Sequence, residues 1–238
     1  SALEMDKEAI KALEDAYAKA GIPVVSNASA NRWTDDVPML IPEINPHHTD
    51  VIADQKKNRG YDKGFIAVKP NCSLQSYMAP IFALQQAGYP IKKMIVTTMQ
   101  AVSGAGYPGV SSFDMIDNIV PYIGGEEEKT EKECLKILGS VKDGKIENAP
   151  APLVAAHCNR VAVIDGHTAC VSLEFDLPED KKPSLEEIEK AVDPKTGELS
   201  NPYFGTVICY ANNVTLVNVT IDNSVSINTD VWKDGNVQ

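Results

Sequence analysis

The sequence predicts an α/β chain: a short parallel sheet within about residues 1–69, then an α+β domain with a mixed sheet over about 70–238. Three patterns predict it. Helix–strand at the start, followed by a strand and helix across 64–90, is the order of parallel α/β layering. Lys93–Gln100 alternates with period two, placing Met94, Val96, Thr98 and Gln100 on one face. The β-prone runs across 152–175 flank Asp165-Gly166 and read as strand, tight turn, strand, a hairpin.

Taken in order, Asp6 is an N-cap candidate, and Ile10, Leu13, Tyr17 and Ala20 form a helical stripe closed at Gly21. Ile22–Ser26 reads as a strand, and Asn27–Arg32 follows it, where open α/β sheets bind ligands. Arg32 is a surface arginine or an anion clamp. Residues 37–50 are proline-rich and read as irregular. His47-His48 raises a metal hypothesis, set aside because neighbours in an extended loop point apart and no third ligand has a recognised spacing. Gly64–Val68 is a buried strand. Leu74, Tyr77, Met78, Ile81 and Leu84 have helical spacing, stopping at Gly88-Tyr89-Pro90. The turn at 101–109 is glycine-rich, as phosphate-binding turns and ordinary turns both are. Residues 126–138 form a charged helix with an expected solvated face and a Glu126–Lys129 pair. Ser184–Glu187 is a capping box. From about 201 the chain is rich in Asn, Thr and Val, with β-prone runs at 203–210, 214–221 and 225–227. These are expected to be paired, since an open edge invites aggregation.

Composition excludes some classes. A net charge of −11 argues against nucleic acid as a partner. No apolar run reaches the roughly 18 residues of a membrane span. Five cysteines without metal-type spacing fit a reducing, cytoplasmic setting. The chain opens Ser1-Ala2-Leu3 without an initiator methionine, so it is expected to be a piece or a processed form of a longer protein.

Within this frame Lys69-Pro70-Asn71-Cys72-Ser73-Leu74 is the candidate reactive segment. Cys72 stands where a strand hands over to a helix, an environment whose free N–H groups and dipole favour a thiolate. The alternative from these residues alone is a small core cysteine.

Five segments occur together: Ser26-Asn27…Arg32, Pro70-Asn71-Cys72-Ser73, Gln100-Ala101-Val102-Ser103-Gly104-Ala105-Gly106, Glu126…Lys129, and His157-Cys158-Asn159-Arg160…Asp165-Gly166-His167. In this order the set resembles the aspartate-semialdehyde dehydrogenase family, in its archaeal and fungal branch, over about residues 1–191. The resemblance implies a partial Rossmann-like parallel sheet at 1–69 and a catalytic and dimerisation domain at 70–238. It implies Cys72 as nucleophile, His167 as acid/base and Gln100 as the group orienting the bound intermediate. It places Arg160 on the substrate carboxylate with Glu126 in the same pocket, Arg32 and Lys129 on inorganic phosphate, and Ser26, Asn27, Asn71, Ser103, Gly104, Ala105 and Gly106 near NADP. The implied reaction interconverts aspartyl phosphate and aspartate semialdehyde through a thioester on Cys72, in lysine, methionine and threonine biosynthesis. A thiolate suits it as both nucleophile and leaving group. A homodimer or homotetramer is implied, without nucleic acid or membrane.

The family opens with a glycine-rich cofactor turn and carries later Pro-Gln-Pro-Arg and Asn-Thr-Val-Arg-Gly segments. None of these is in this sequence, and 193–238 has no counterpart in the resemblance. Three other readings share the residues: a dimerising scaffold with an idle Cys72, a reductase of acyl-CoA thioesters of the malonyl-CoA type, and a thiol hydrolase built on Cys72 and His167.

Overall fold

The computed structural model describes residues 5–192, 208–210 and 215–217. The fold is mixed α/β. The chain divides into two compact units, Ser1–Met78 with Ile91–Phe175, and Ala79–Pro90 with Asp176–Gln238.

In the first unit, α1 (Lys7–Lys19) is capped by Asp6, whose carboxylate accepts from the N–H groups of Glu8 and Ala9 at 3.1 and 3.3 Å. Its buried face is Ile10, Glu14 and Ala18, not the expected stripe through Leu13, Tyr17 and Ala20; Tyr17 is 50% exposed. The cause is polar. Glu14 accepts from the Ser26 hydroxyl and, at 2.8 Å, from Asn31 Nδ2, so a carboxylate takes the inward position. Gly64 fixes the same orientation, since a Cβ there would lie 2.1 Å from the Ala18 carbonyl oxygen.

Strand β1 (Pro23–Ser26) pairs parallel with β2 (Phe65–Val68), Pro23 opposite Phe65 and Ser26 opposite Val68. Between them lies α2 (Val51–Arg59), which the apolar pattern does not reveal. Its anchor is Gln55, fully buried: the amide nitrogen donates to the carbonyls of Asp36 and Ile66 at 2.7 and 3.0 Å, and the amide oxygen accepts from Ile66 N–H at 2.8 Å. His48 is structural. It is buried, within hydrogen-bond distance of the Gly139 carbonyl (3.0 Å) and the Asn45 amide (3.0 Å), and burial pushes its pKa down.

Helix α3 (Gln75–Gln86) buries the expected Tyr77, Met78, Ile81 and Leu84, and Leu74 just before it is buried too. Strand β3 (Ile91–Gln100) buries Met94, Val96, Thr98 and Gln100, as its alternation requires. After the short α4 (Ser112–Met115) comes α5 (Glu126–Ile137), then a hairpin of β4 (Ser140–Lys142) and β5 (Lys145–Glu147).

The expected hairpin across Asp165-Gly166 does not form. Strands β6 (Leu153–Arg160) and β7 (Thr168–Phe175) lie on either side of β3, in the order β6-β3-β7. Strand β3 runs parallel to β6 and antiparallel to β7. Residues 161–164 instead continue alongside the chain leaving β3. Val161 N–H donates to the Gln100 carbonyl, and the Val163 and Ile164 carbonyls accept from Val102 and Ser103. The connection therefore crosses the end of β3, and Gln100, Arg160 and His167 meet there.

The solvated reading of α5 is also corrected. Thr130, Glu133, Cys134, Lys136 and Ile137 are buried, so part of its charge faces inward. In the second unit α6 (Leu185–Val192) follows a reciprocal capping box. Glu187 Oε2 accepts from Ser184 N–H and Oγ at 2.7 and 2.9 Å, and Ser184 Oγ accepts from Glu187 N–H at 3.3 Å. Strands β8 (Ile208–Tyr210) and β9 (Thr215–Val217) pair with each other. The rest of the expected β tail lies outside the described residues. No helix among them is long and apolar enough to cross a membrane.

Candidate active site

Cys72 lies in the turn between β2 and α3, three residues before the helix starts rather than within its first turn. Asn71 shapes that turn: its side-chain oxygen accepts from Ser73 N–H at 2.9 Å and Ser73 Oγ at 3.0 Å. Asn71 and Ser73 are thereby buried while Cys72 is left exposed. Its sulfur lies 3.3 Å from His167 Nε2. Cys134 and Cys158 are buried and burial pushes both thiols up, Cys134 to about 12. They are inert by comparison.

The His167 ring is oriented from behind. Its Nδ1 accepts from Ala101 N–H at 3.1 Å. A ring nitrogen that accepts carries no proton, so the neutral imidazole holds its proton on Nε2, toward the Cys72 sulfur. Burial and the Arg160 guanidinium push the His167 pKa below its ordinary value, against the Gly166 carbonyl and Glu126. Arg160, 6% exposed, donates from Nη1 to the Ala101 carbonyl at 2.8 Å, and no carboxylate among the described residues pairs with it. One residue at the end of β3 thus holds the histidine by its N–H and the arginine by its C=O. Gly104 closes this corner. A Cβ there would fall 2.8 Å from His167 Cε1 and 2.9 Å from Arg160 Nη1.

The opposite wall is α5. Glu126 accepts from Lys129 Nζ and from Asn71 Nδ2 at 2.5 Å. Burial pushes its pKa up, but Lys129, Asn71 and Gln100 outweigh that and hold it below the ordinary value. Gln100 is buried, its amide nitrogen 3.3 Å from Thr98 Oγ1. Structure thus brings Cys72, His167, Gln100, Arg160, Glu126, Lys129 and Asn71 to one place.

Three expected residues stand differently. Arg32 is buried, its Nη1 paired with Glu133 at 3.0 Å and its Nη2 donating to the Asn27 carbonyl at 3.0 Å; Nε has no partner. The Ser26 hydroxyl is consumed internally, donating to Glu14 and accepting from Ala28 N–H. Asn27 is exposed, with its carbonyl on Arg32. Ser103, Gly104 and Gly106 lie in an exposed turn with Ala105 half-buried.

Sequence reasoning missed Glu133, Lys136 and Glu14, and gave Lys69 no role of its own within the reactive segment. Lys136 Nζ donates to the carbonyls of Arg32 and Thr34 at 2.7 and 2.8 Å, and burial pushes it down to about 8. Lys69 is half-buried, donates to the Pro70 carbonyl at 3.4 Å, and is likewise pushed down by burial. A signal for Glu133 existed: it lies two turns from Glu126, on the helix face that also carries Lys129 and Thr130.

A cysteine, a histidine and an arginine without a carboxylate partner among the described residues converge at the end of a mixed sheet, a candidate site for thiol chemistry; comparison specifies the class of protein. Residues 81–223 match the semialdehyde dehydrogenase dimerisation domain, and residues 3–52 match the semialdehyde dehydrogenase NAD-binding domain. The chain belongs to the semialdehyde dehydrogenase family. Within that family its relatives are aspartate-semialdehyde dehydrogenases. The protein of Archaeoglobus fulgidus is 48% identical over 181 residues, 76% of this chain and 50% of that protein. That of Cryptococcus neoformans is 44% identical over 191 residues, 79% of this chain and 52% of that one. The structure of the Candida albicans enzyme with NADP superposes with a TM-score of 0.69 at 40% identity, covering 80% of this chain and 54% of that one. The chain spans about half the length of the curated relatives it matches.

Proposed function

We propose that this chain carries the catalytic centre of an NADP-dependent aspartate-semialdehyde dehydrogenase, interconverting aspartyl phosphate and aspartate semialdehyde. The observation that carries the reading is the Cys72–His167 contact with Nδ1 held by Ala101. The Cys72 thiolate attacks the aldehyde carbon, forming the C–S bond of a thiohemiacetal. The His167 imidazole, with Nε2 toward Cys72, is the acid/base group for the oxygen at that carbon. Loss of hydride leaves a thioester, and a phosphate oxygen then displaces the Cys72 thiolate. Arg160, without a protein carboxylate, takes the substrate carboxylate; Glu126 takes its ammonium, and Gln100 orients the acyl group. Lys129 receives phosphate, and Arg32, its Nη atoms held by Glu133 and the Asn27 carbonyl, adds positive charge behind it rather than a direct contact.

The exposed 103–106 turn suits a flat ring lying beside Cys72, since Gly104 leaves no methyl in the space next to His167 and Arg160. NADP, when bound there, supplies the hydride acceptor. Residues 1–69 are then part of a cofactor domain and 70–238 the catalytic and dimerisation domain. The outer sheet face supports a second copy as partner, in a homodimer or a homotetramer built from it: Ile95 and Leu153 are 50% and 68% exposed there. The unpaired thiols of Cys72, Cys134, Cys158 and Cys170 support a reducing, cytoplasmic setting.

The test is NADP titration by calorimetry, with phosphate-dependent reduction of NADP by the semialdehyde as the turnover assay. Saturable binding is expected in both forms, with turnover lower by a factor of ~10³ or more in Cys72→Ser, as for removal of a nucleophile. No turnover with cofactor bound would overturn the assignment. No binding at millimolar NADP would favour the scaffold reading.

A further inference from the structure

Asn71, the residue before the candidate nucleophile, is held by α5 at two points. Its side-chain amide goes to Glu126 and its backbone N–H to Glu133 Oε2 at 2.6 Å. Glu133 is fully buried, and its other oxygen pairs with Arg32 at 3.0 Å. Arg32 in turn donates to the Asn27 carbonyl just beyond β1. Hydrogen bonds from a guanidinium and an amide to one ionised carboxylate are short and strong, and here water does not compete. Fixing the Asn71 nitrogen fixes the peptide from which Cys72 projects.

We infer that Glu133 is a positioning residue for Cys72: through Asn71 N–H on one oxygen and Arg32 on the other, it ties the nucleophile turn to the loop after β1 and holds the sulfur in reach of His167. This rests on the reading of Cys72 as nucleophile. Glu133 touches no reacting atom. It acts only through the backbone, whereas Glu126 presents its carboxylate beside Gln100 and Lys129.

The experiment is alkylation by iodoacetamide across pH 5–10, read cysteine by cysteine by peptide mass spectrometry, on the unmodified chain and on Glu133→Gln. Cys170, exposed on the sheet, is the internal reference. Glu133→Gln keeps an acceptor for Asn71 but removes the charge that seats Arg32. The thiolate is the reacting form, and losing the His167 partner lowers its fraction, about tenfold for each pH unit of displacement. Cys72 is therefore expected to slow by tenfold to a hundredfold, with its pH profile displaced to higher pH and Cys170 unchanged. Loss of stability alone leaves that profile in place. A Cys72 that stays fast, with an unmoved profile, in folded Glu133→Gln overturns the inference and leaves the nucleophile reading intact. A Cys72 no faster than Cys170 in the unmodified chain removes both. If Glu133→Gln does not fold, hydrogen exchange of the unmodified chain decides. The Asn71 amide is expected among the slowest amides outside helices and strands; exchange at an open-loop rate overturns the clamp.

Discussion

Glu126 and Glu133 sit two turns apart on α5, both bonded to Asn71, yet their environments drive them in opposite directions. Glu126, near the helix start, has Lys129 and the amides of Asn71 and Gln100, and its pKa is held down. Glu133, fully buried, has a guanidinium and a backbone N–H, yet burial outweighs both and its pKa is pushed up. A cation close by does not by itself keep a carboxylate acidic; access to solvent and the number of donors decide. The first carboxylate lies among the polar groups of the candidate site. The second is a joint between parts of the protein.

The comparison can be broken most forcefully by deletion. Glu133→Ala leaves Arg32 buried without its carboxylate and is expected to cost ~3–5 kcal/mol, the penalty for an uncompensated buried charge. Glu126→Ala leaves Lys129 free to turn to water and is expected to cost about 1 kcal/mol. Urea denaturation of the two variants checks this, and equal losses would erase the distinction.

Titration sharpens it. As pH falls, Glu133 is expected to take its proton above 4.5 and Glu126 below 4.5, seen by carboxyl carbon chemical shifts in NMR. The signs for stability are opposite. Protonating Glu133 relieves a burial cost, so its contribution improves as pH falls through its raised folded-state value. Glu126 stabilises above 4.5, and that contribution is lost as pH falls through its lowered folded-state value. The smallest effect is expected for Lys129→Met. Its side chain is 31% exposed, so thermal denaturation should register less than about 1 kcal/mol.

Legibility followed the kind of force involved. Where the interaction is local, whether apolar spacing or a helix cap, the sequence suffices: the alternation of Lys93–Gln100, the run at 74–84, the cap at Asp6 and the box at Ser184 all appear in the structure. Where burial is polar and the partner distant, pattern fails. Glu14 turned the face of α1, Gln55 anchored a helix with no apolar stripe, and Glu133 made an inward face of a charged run. Arg32 and Glu133 are separated by 101 residues, and no local window contains both. The hairpin reading failed because proximity in sequence was taken for pairing, while β3 supplied a better partner to each strand. The grouping of Cys72, Gln100, Arg160 and His167 was legible only through family resemblance, because four isolated polar residues carry no periodicity.

The strand order β6-β3-β7 also has a kinetic meaning. Its central strand is the first of the three to be synthesised, and both neighbours come from much later in the chain. Closing such separations costs entropy before any contact rewards it, which makes sheets of this kind slow to assemble. A growing chain that has already displayed Cys72 still lacks Arg160 and His167. The thiol therefore emerges from the ribosome unescorted, and acquires its partner only when the last strand docks.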